Sequence, residues 1–419
     1  MTDIKKLCEG IKGCECGKDH FCPIDHIEIG SGILPKLKDI CVGYKSILLV
    51  ADSNTYAVCG KEVDKILSAQ IKSRIVFDTP DFVLIPDEKA IDEIENKLLA
   101  DTDLIIGVGS GVINDLCKYV SHKNSLPYYI VATAPSMDGY ASVGSALILK
   151  GMKVTLNARP PKAIVSDTSV LANAPFDMIQ AGWGDIVGKY SCLNDWKLSA
   201  LINDEYFCQT VYDLTYETAE YVEKLADGVK NRDESAVGAL MEALVTVGVA
   251  MSYVGNSRPA SGSEHHLSHF FEITGILDDK PYFAHGIDVI YSAVATAEIR
   301  EKVLSSDPHE FSFDRAEWEN SINEIYSSSA DEVIKLQDKM GWYCDADRES
   351  VFGKIDEIKA VLSEAPTKNE MIEMLNSIGL DYNEFINMYG QDKIDNAILF
   401  AKDLKDRYSV LWLNYKYFR

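Results

Sequence analysis

Three of the eight histidines in the chain stand together in SGSEHHLSHFFE, as His265, His266 and His269, and a fourth, His285, follows in YFAHGIDV. On a helix, His265 and His269 are i and i+4 and share one face, whereas His266 points about 100° away. A neighbouring antiparallel helix can return His285 to the same place. Two imidazoles and one carboxylate, with a coordination position left open, make a catalytic metal site. The carboxylate candidate is Asp185 in AGWGDIVGKYS, where Gly182, Gly184 and Gly188 leave room for something to pack closely. The residues alone keep a second reading open: a histidine pair at this spacing is also a common solvated helix face, and an aspartate here also caps a helix.

A different chemistry is suggested by DLIIGVGSGVINDLCKYV, which sets Gly107, Gly109 and Gly111 between an apolar run and a helical stretch. Glycines let the backbone approach a phosphate, and a helix N-terminus offers N–H groups and the positive end of its dipole, so a pyrophosphate is the natural ligand. The usual dinucleotide fingerprint differs, since Val112 takes its last glycine position and the loop does not follow the first strand. Asp52 ends the run LLVAD. A carboxylate at such a strand end accepts hydrogen bonds from the ribose hydroxyls of NAD and repels the 2′-phosphate of NADP, or else simply caps a turn. The third segment is TAPSMDGYAS (133–142), where Thr133 and Ser136 can meet cofactor hydroxyls or amides and Asp138 stands close by. A plain polar loop is the alternative there.

Of the ten cysteines, Cys8, Cys14, Cys16 and Cys22 cluster around His20. A zinc knot is one reading, although Cys-x-Cys is a poor fit to the usual gap of two to four residues. The other six are scattered singly, as buried small apolar residues usually are.

The elements that must position these residues change character along the chain. Apolar runs at 46–52, 81–87, 103–109, 128–134 and 163–167 alternate with helical stretches such as KEVDKILSAQIK (61–72) and EKAIDEIENKLLAD (88–101). Strand and helix in repetition imply a parallel sheet covered on both faces. The segment SALILKGMKVTLN (145–157) reads as a β-hairpin turning at Lys150-Gly151. Beyond about residue 172 the periodicity is helical throughout, with Pro175 near a helix start. The expected fold is an α/β dinucleotide-binding domain over 1–172 and an all-α metal- and substrate-binding domain over 173–419.

The chain has 419 residues, with 41 basic against 65 acidic side chains and a formal charge of −24. Such a surface repels phosphate backbones, which argues against a nucleic-acid partner. A phosphorylated substrate would need local cations or backbone amides, for which Arg258 and Lys189 are the nearest candidates by sequence; either can equally serve a structural ion pair. No run reaches about 18 uninterrupted apolar residues, so no membrane span is expected. The first residues have no apolar core of a signal peptide, and a cytoplasmic location is the expectation.

Taken in order, the GxGSG-type loop, TAPSMDG, GWGD, SRPASGSEH with a second histidine four residues on, and HG resemble the sn-glycerol-1-phosphate dehydrogenases. That family is similar in fold to glycerol dehydrogenase, the iron-type alcohol dehydrogenases and dehydroquinate synthase. The resemblance covers roughly residues 20–400. It implies that Asp185, His265 and His285 hold one divalent ion (zinc, nickel or iron), that His269 and Asp138 meet the substrate, and that His266 is structural. It implies NAD, or NADP, against Asp52, Gly109, Ser110, Gly111, Val112, Ile113, Thr133, Ala134, Pro135, Ser136 and Ser142. The implied reaction is reversible reduction of dihydroxyacetone phosphate to sn-glycerol 1-phosphate, by a homodimer or higher homo-oligomer. The alternatives are a dehydrogenase of glycerol or another unphosphorylated polyol and, further off, a dehydroquinate-synthase-like cyclase, a branch that usually carries Glu where Asp185 stands.

Overall fold

The computed structural model describes residues 4–79, 84–149 and 152–419. Among the described residues eight strands are formed: β1 (His26–Gly30), β2 (Ile47–Asp52), β3 (Ile71–Phe77), β4 (Leu104–Gly109), β5 (Tyr128–Ala132), β6 (Gly144–Leu149), β7 (Met152–Asn157) and β8 (Ala163–Asp167). Six of them make a parallel sheet in the order β1-β8-β5-β4-β2-β3. β6 and β7 pair antiparallel, as the hairpin reading required; its turn, Lys150-Gly151, lies outside the described residues.

The four central strands are buried at almost every position. That is the pattern of strands covered on both faces, and it is why their sequences are continuous in Ile, Leu and Val rather than alternating. On one face Leu49, Ala51, Ile106, Val108 and Val131 share a core with Leu34, Leu37, Val63 and Leu67. On the other, Gly107 backs onto Ile113 and Cys117 of the helix Gly111–Lys123.

Two expectations need correction at the sheet's edges. The run at 81–87 is not a sheet strand: residues 81–83 lie outside the described residues, 84–86 are irregular, and Asp87 makes a single bridge to Ile148. The edge strand is β3 instead, part of it inside the stretch 61–72 that reads as helix; the helix covers Lys61–Ile66 and stops. β3 alternates buried and exposed residues because it has one neighbour and a wet face, so Lys72 and Arg74 masked the apolar signal. β1, five residues long at the other edge, carries no continuous apolar run.

Contacts divide the chain into two compact units. The first is Met1–Ile186 with Glu220–Ser257, and the second is Val187–Ala219 with Arg258–Arg419. From Thr168 onward every element among the described residues is a helix. In the first unit, helix Glu234–Val254 is long and apolar enough to cross a membrane, but 78% of its apolar window is buried in the protein. It is a core helix, and its glycines permit the burial: a Cβ at Gly248 would stand 2.7 Å from the carbonyl oxygen of Asp138, and one at Gly238 2.8 Å from Thr168.

Candidate active site

In the first unit, the register places the nucleotide candidates side by side. Ala51 pairs with Val108 and Gly109 with Ala132, so Asp52, Gly109 and Thr133 come together at the carboxyl ends of β2, β4 and β5. The chain leaves β2 for β3 on one side and runs from β4 to β5 on the other. The strand order therefore reverses between β2 and β4, the position where open α/β sheets bind ligands. Helix Gly111–Lys123 begins there, and its N-cap, Ser110, makes no side-chain cap hydrogen bond. The N–H groups of its first turn have no partner within the helix and face outward with the dipole. Gly109 lets the helix start close against the strand end: a Cβ there would stand 2.6 Å from the Ile113 side chain. These features fit a dinucleotide pyrophosphate.

Asp52 also caps the short helix after β2. Its Oδ1 accepts the N–H groups of Asn54 and Thr55, both at 2.9 Å, and Thr55 Oγ1 accepts the Asp52 N–H. Both sequence readings of this residue are therefore compatible, because the cap uses Oδ1.

The loop 133–142 is held by a residue the sequence did not reveal. Lys118, fully buried, donates to the carbonyls of Gly139 (2.7 Å) and Gly144 (2.8 Å) and to Ser142 Oγ (3.3 Å). Burial holds its pKa below the ordinary lysine value, against the pull of Asp115 and Asp138. Tyr140 donates its hydroxyl to Ala134 O at 2.7 Å. The loop also packs on helix Phe176–Val187, where a Cβ at Gly182 would lie 1.8 Å from Pro135 O. That contact is the close packing anticipated from the glycines around Asp185. Asp185 itself is fully buried and accepts the Asp138 N–H at 3.0 Å. The two carboxylate-bearing residues are thus coupled through one backbone bond.

The second unit gathers the histidines. His265 and His269 lie on helix Ser263–Asp278, and His285 opens the helix His285–Ser305 packed against it. Ring centroids are 5.1 Å apart for His265 and His285, 5.6 Å for His269 and His285, and 6.1 Å for His265 and His269. Two imidazoles ligating one tetrahedral ion have centroids about 5 Å apart, from metal–nitrogen bonds of about 2.1 Å. The His265–His285 pair meets that spacing best, with His269 beside it.

The orientation of His265 was also missing from the sequence reading. Its Nδ1 lies 2.6 Å from Glu264 Oε1, which also accepts the Gly262 N–H at 2.9 Å. With Nδ1–H donated to a carboxylate, Nε2 is left as the ligating atom, the usual outer-shell arrangement of a metal-bound histidine. Glu264 is fully buried and its Oε2 has no hydrogen-bond partner among the described residues. A cation on the imidazole would offset that buried negative charge. The sequence signal was present as the adjacent pair Glu264-His265.

Asp195 fastens the start of this helix by accepting the N–H groups of Ser263 and Val410, each at 2.7 Å. Burial and the nearby Glu264 raise its pKa, while those N–H bonds oppose the rise. His266 is fully buried, and burial with nearby Arg407 and Lys405 keeps it neutral, with a pKa well below the ordinary value. One phosphate candidate is committed elsewhere. Arg258 grips the Glu205 carboxylate through Nε (2.9 Å) and Nη2 (2.8 Å) and reaches Tyr408 O, so it serves a structural ion pair. Lys189 is completely buried.

The fold with this site defines a class. The family model "Iron-containing alcohol dehydrogenase" matches residues 28–175. A probable glycerol dehydrogenase from Sinorhizobium meliloti 1021 shares the fold, with TM-score 0.62 at 16% identity over 93% of this chain and 92% of that one. So does an NADH-dependent butanol dehydrogenase from Thermotoga maritima, with TM-score 0.54 at 17% identity over 91% and 90% of the two chains. The architecture is that of the dehydroquinate synthase-like dehydrogenases.

Sequence relatives narrow the class. Glycerol-1-phosphate dehydrogenase [NAD(P)+] of Geobacillus stearothermophilus is 33% identical over 81% of this chain and 88% of its own length. The protein of the same name from Halalkalibacterium halodurans is 34% identical over 69% and 75%, and that from Methanosarcina barkeri 36% identical over 58% and 68%. The chain belongs to the glycerol-1-phosphate dehydrogenase family and is an NAD(P)-dependent oxidoreductase.

Proposed function

We propose that this enzyme reduces dihydroxyacetone phosphate to sn-glycerol 1-phosphate, reversibly, using NADH or NADPH and one divalent ion held by Asp185, His265 and His285. The name shared by its relatives supports the substrate. The observation that supports the metal is the imidazole group, in which His265 is turned by Glu264 to offer Nε2.

When bound, the ion supplies a Lewis acid for the C2 carbonyl, and the reduced nicotinamide supplies the hydride. The first-turn N–H groups at Ser110 to Ile113 hold the pyrophosphate, with Gly109 letting the helix start close against the strand end. Asp52 holds the ribose through the oxygen its cap does not use. Thr133, Ala134, Pro135, Ser136 and Ser142 line the rest of the cofactor's path. Asp138 orients a substrate hydroxyl, its own backbone fixed by Asp185. His269 positions the substrate or relays the proton that the nascent alkoxide receives. An N/N/O donor set accepts zinc, nickel or iron without choosing among them.

The proposed functional division falls near residue 172, with nucleotide binding in 1–172 and metal and substrate binding in 173–419, whereas the compact units defined by contacts divide the chain elsewhere. The assembly is a homodimer or larger homo-oligomer, checked by light scattering. Removal of the ion by a chelator should abolish reduction of dihydroxyacetone phosphate, and re-addition of zinc, nickel or iron should restore it. Chelator-resistant turnover would remove the ion from the reaction.

A further inference from the structure

The N-terminal segment contains a second donor cluster that the dehydrogenase chemistry does not use. Residues 11–20 form a small closed hairpin in which Ile11 and His20 exchange backbone hydrogen bonds of 2.9 and 2.8 Å. At its tip, Gly17 N–H donates to Cys14 O at 2.9 Å, so Cys14 and Cys16 sit on one tight turn. Gly13 (φ +64°) and Gly17 (φ +82°) flank that turn in the left-handed region, where other residues are strained.

The turn brings both sulfurs to the ring of His20. Sγ of Cys14, Sγ of Cys16 and a ring nitrogen of His20 all lie within 4.8 Å of one another. Cys16 Sγ is 3.4 Å from His20 Nε2. A sulfur and a nitrogen on one tetrahedral zinc stand about 3.5 Å apart, given bonds of about 2.3 and 2.05 Å. A plain thiol–imidazole hydrogen bond matches that single distance as well, so the second thiol and the setting of the ring must decide.

The ring is set as a ligand. His20 is fully buried, stacks on Tyr253 at 5.4 Å, and places Nδ1 3.0 Å from Tyr253 O. That bond requires the proton on Nδ1, which leaves the Nε2 lone pair facing the two thiols. Apolar burial does little to hold the segment: among its described residues from 4 to 24, Leu7, His20 and Ile24 alone are buried, and its shape rests on hydrogen bonds such as Gly13 N–H to Asp19 Oδ1 at 2.7 Å. A loop with so little apolar burial is commonly stapled by a metal.

We propose that Cys14, Cys16 and His20 bind a structural divalent ion of the zinc type, distinct from the ion at His265 and His285. Cys-x-Cys spacing reaches the geometry because the sulfurs come from a glycine-bounded turn, with the imidazole returning across the hairpin. A fourth donor, from protein or solvent, closes the tetrahedron. Cys8 and Cys22 pair with each other instead, Sγ to Sγ at 3.9 Å.

The test uses full-length protein carrying His265→Ala, so that the proposed catalytic ion is absent, purified after growth with zinc. Elemental analysis should find about one zinc per chain. Exchange with cobalt should give a thiolate-to-cobalt charge-transfer band in the near ultraviolet, which an N/N/O site cannot produce. Adding Cys16→Ser or Cys14→Ser should remove zinc and band together, and Cys8→Ser with Cys22→Ser should leave both. If the added serine variants fail to fold, the band in the folded His265→Ala parent still decides. A zinc-free parent without the band would overturn the proposal, as would a band that depends on Cys8 and Cys22 but survives loss of Cys16. Failure of the catalytic reading has a different signature, metal content and activity unchanged by His265→Ala in otherwise native protein.

Discussion

His265 and Glu264 carry the chemistry at the scale of single residues. His265→Ala removes a proposed ligand and should lower kcat/KM by at least about 100-fold, since even outer-shell changes cost 10–100-fold in metal affinity or activity. Circular dichroism should show the fold intact; full turnover would contradict the ligand assignment. Glu264→Gln keeps the shape but weakens the hold on Nδ1. Metal affinity should fall by roughly 10–100-fold, read by competition with a chromophoric chelator. Unchanged affinity would make Glu264 part of the helix start alone, through its bond to Gly262. Asp52→Gly should lower the preference for NAD over NADP, measured as the ratio of kcat/KM values. No change in that ratio would leave Asp52 as the cap of its short helix. His265, His269 and His285 were legible because helical spacing and a following glycine are one-dimensional signals. Lys118 was not, because nothing in NDLCKYV announces that a lysine will be buried against carbonyls of a loop some twenty residues on.

At the scale of elements, the contact between Gly182 and the 133–136 loop is the most demanding in the first unit. A methyl group there meets Pro135 O at 1.8 Å, and neither a helix nor a bonded loop can yield that far. Gly182→Ala should cost about 3 kcal/mol or more, as overpacked cores do, with a lower urea midpoint; a shift under about 1 kcal/mol would mean that helix and loop can part. Lys118→Met removes the ammonium donor to the Gly139 and Gly144 carbonyls and leaves them their bonds from Ser142, at about 1–3 kcal/mol. Because the loosened loop carries both Asp138 and the proposed cofactor residues Thr133 to Ser136 and Ser142, KM for the substrate and the dissociation constant of NADH should rise together; an unchanged pair of constants would make Lys118 a purely structural support. The central strands could be read directly, since burial on both faces writes itself as unbroken apolar sequence. β1 and β3 could not, because an edge strand keeps one wet side and its composition blends into the neighbouring helices. The Cys-x-Cys motif was visible as a zinc-knot reading, but its spacing spoke against it because the sequence does not show the glycine-bounded turn that folds it.

The whole molecule presents a physical problem, a formal charge of −24 on an enzyme proposed to take an anionic phosphate ester. Diffusional steering cannot help such a substrate, so recognition must be local, through N–H groups, the ion and buried donors. Arg258 is not available, being committed to Glu205. Rates should therefore increase with moderate salt, as like-charge repulsion is screened. The most direct measurement of the central claim is NADH oxidation with dihydroxyacetone phosphate, with and without a chelator, followed by a chiral assay of the product. The account predicts chelator-sensitive oxidation that yields sn-glycerol 1-phosphate. Turnover of dihydroxyacetone or glycerol with none of the phosphorylated substrate would contradict it, leaving the fold and moving the enzyme to the unphosphorylated polyols.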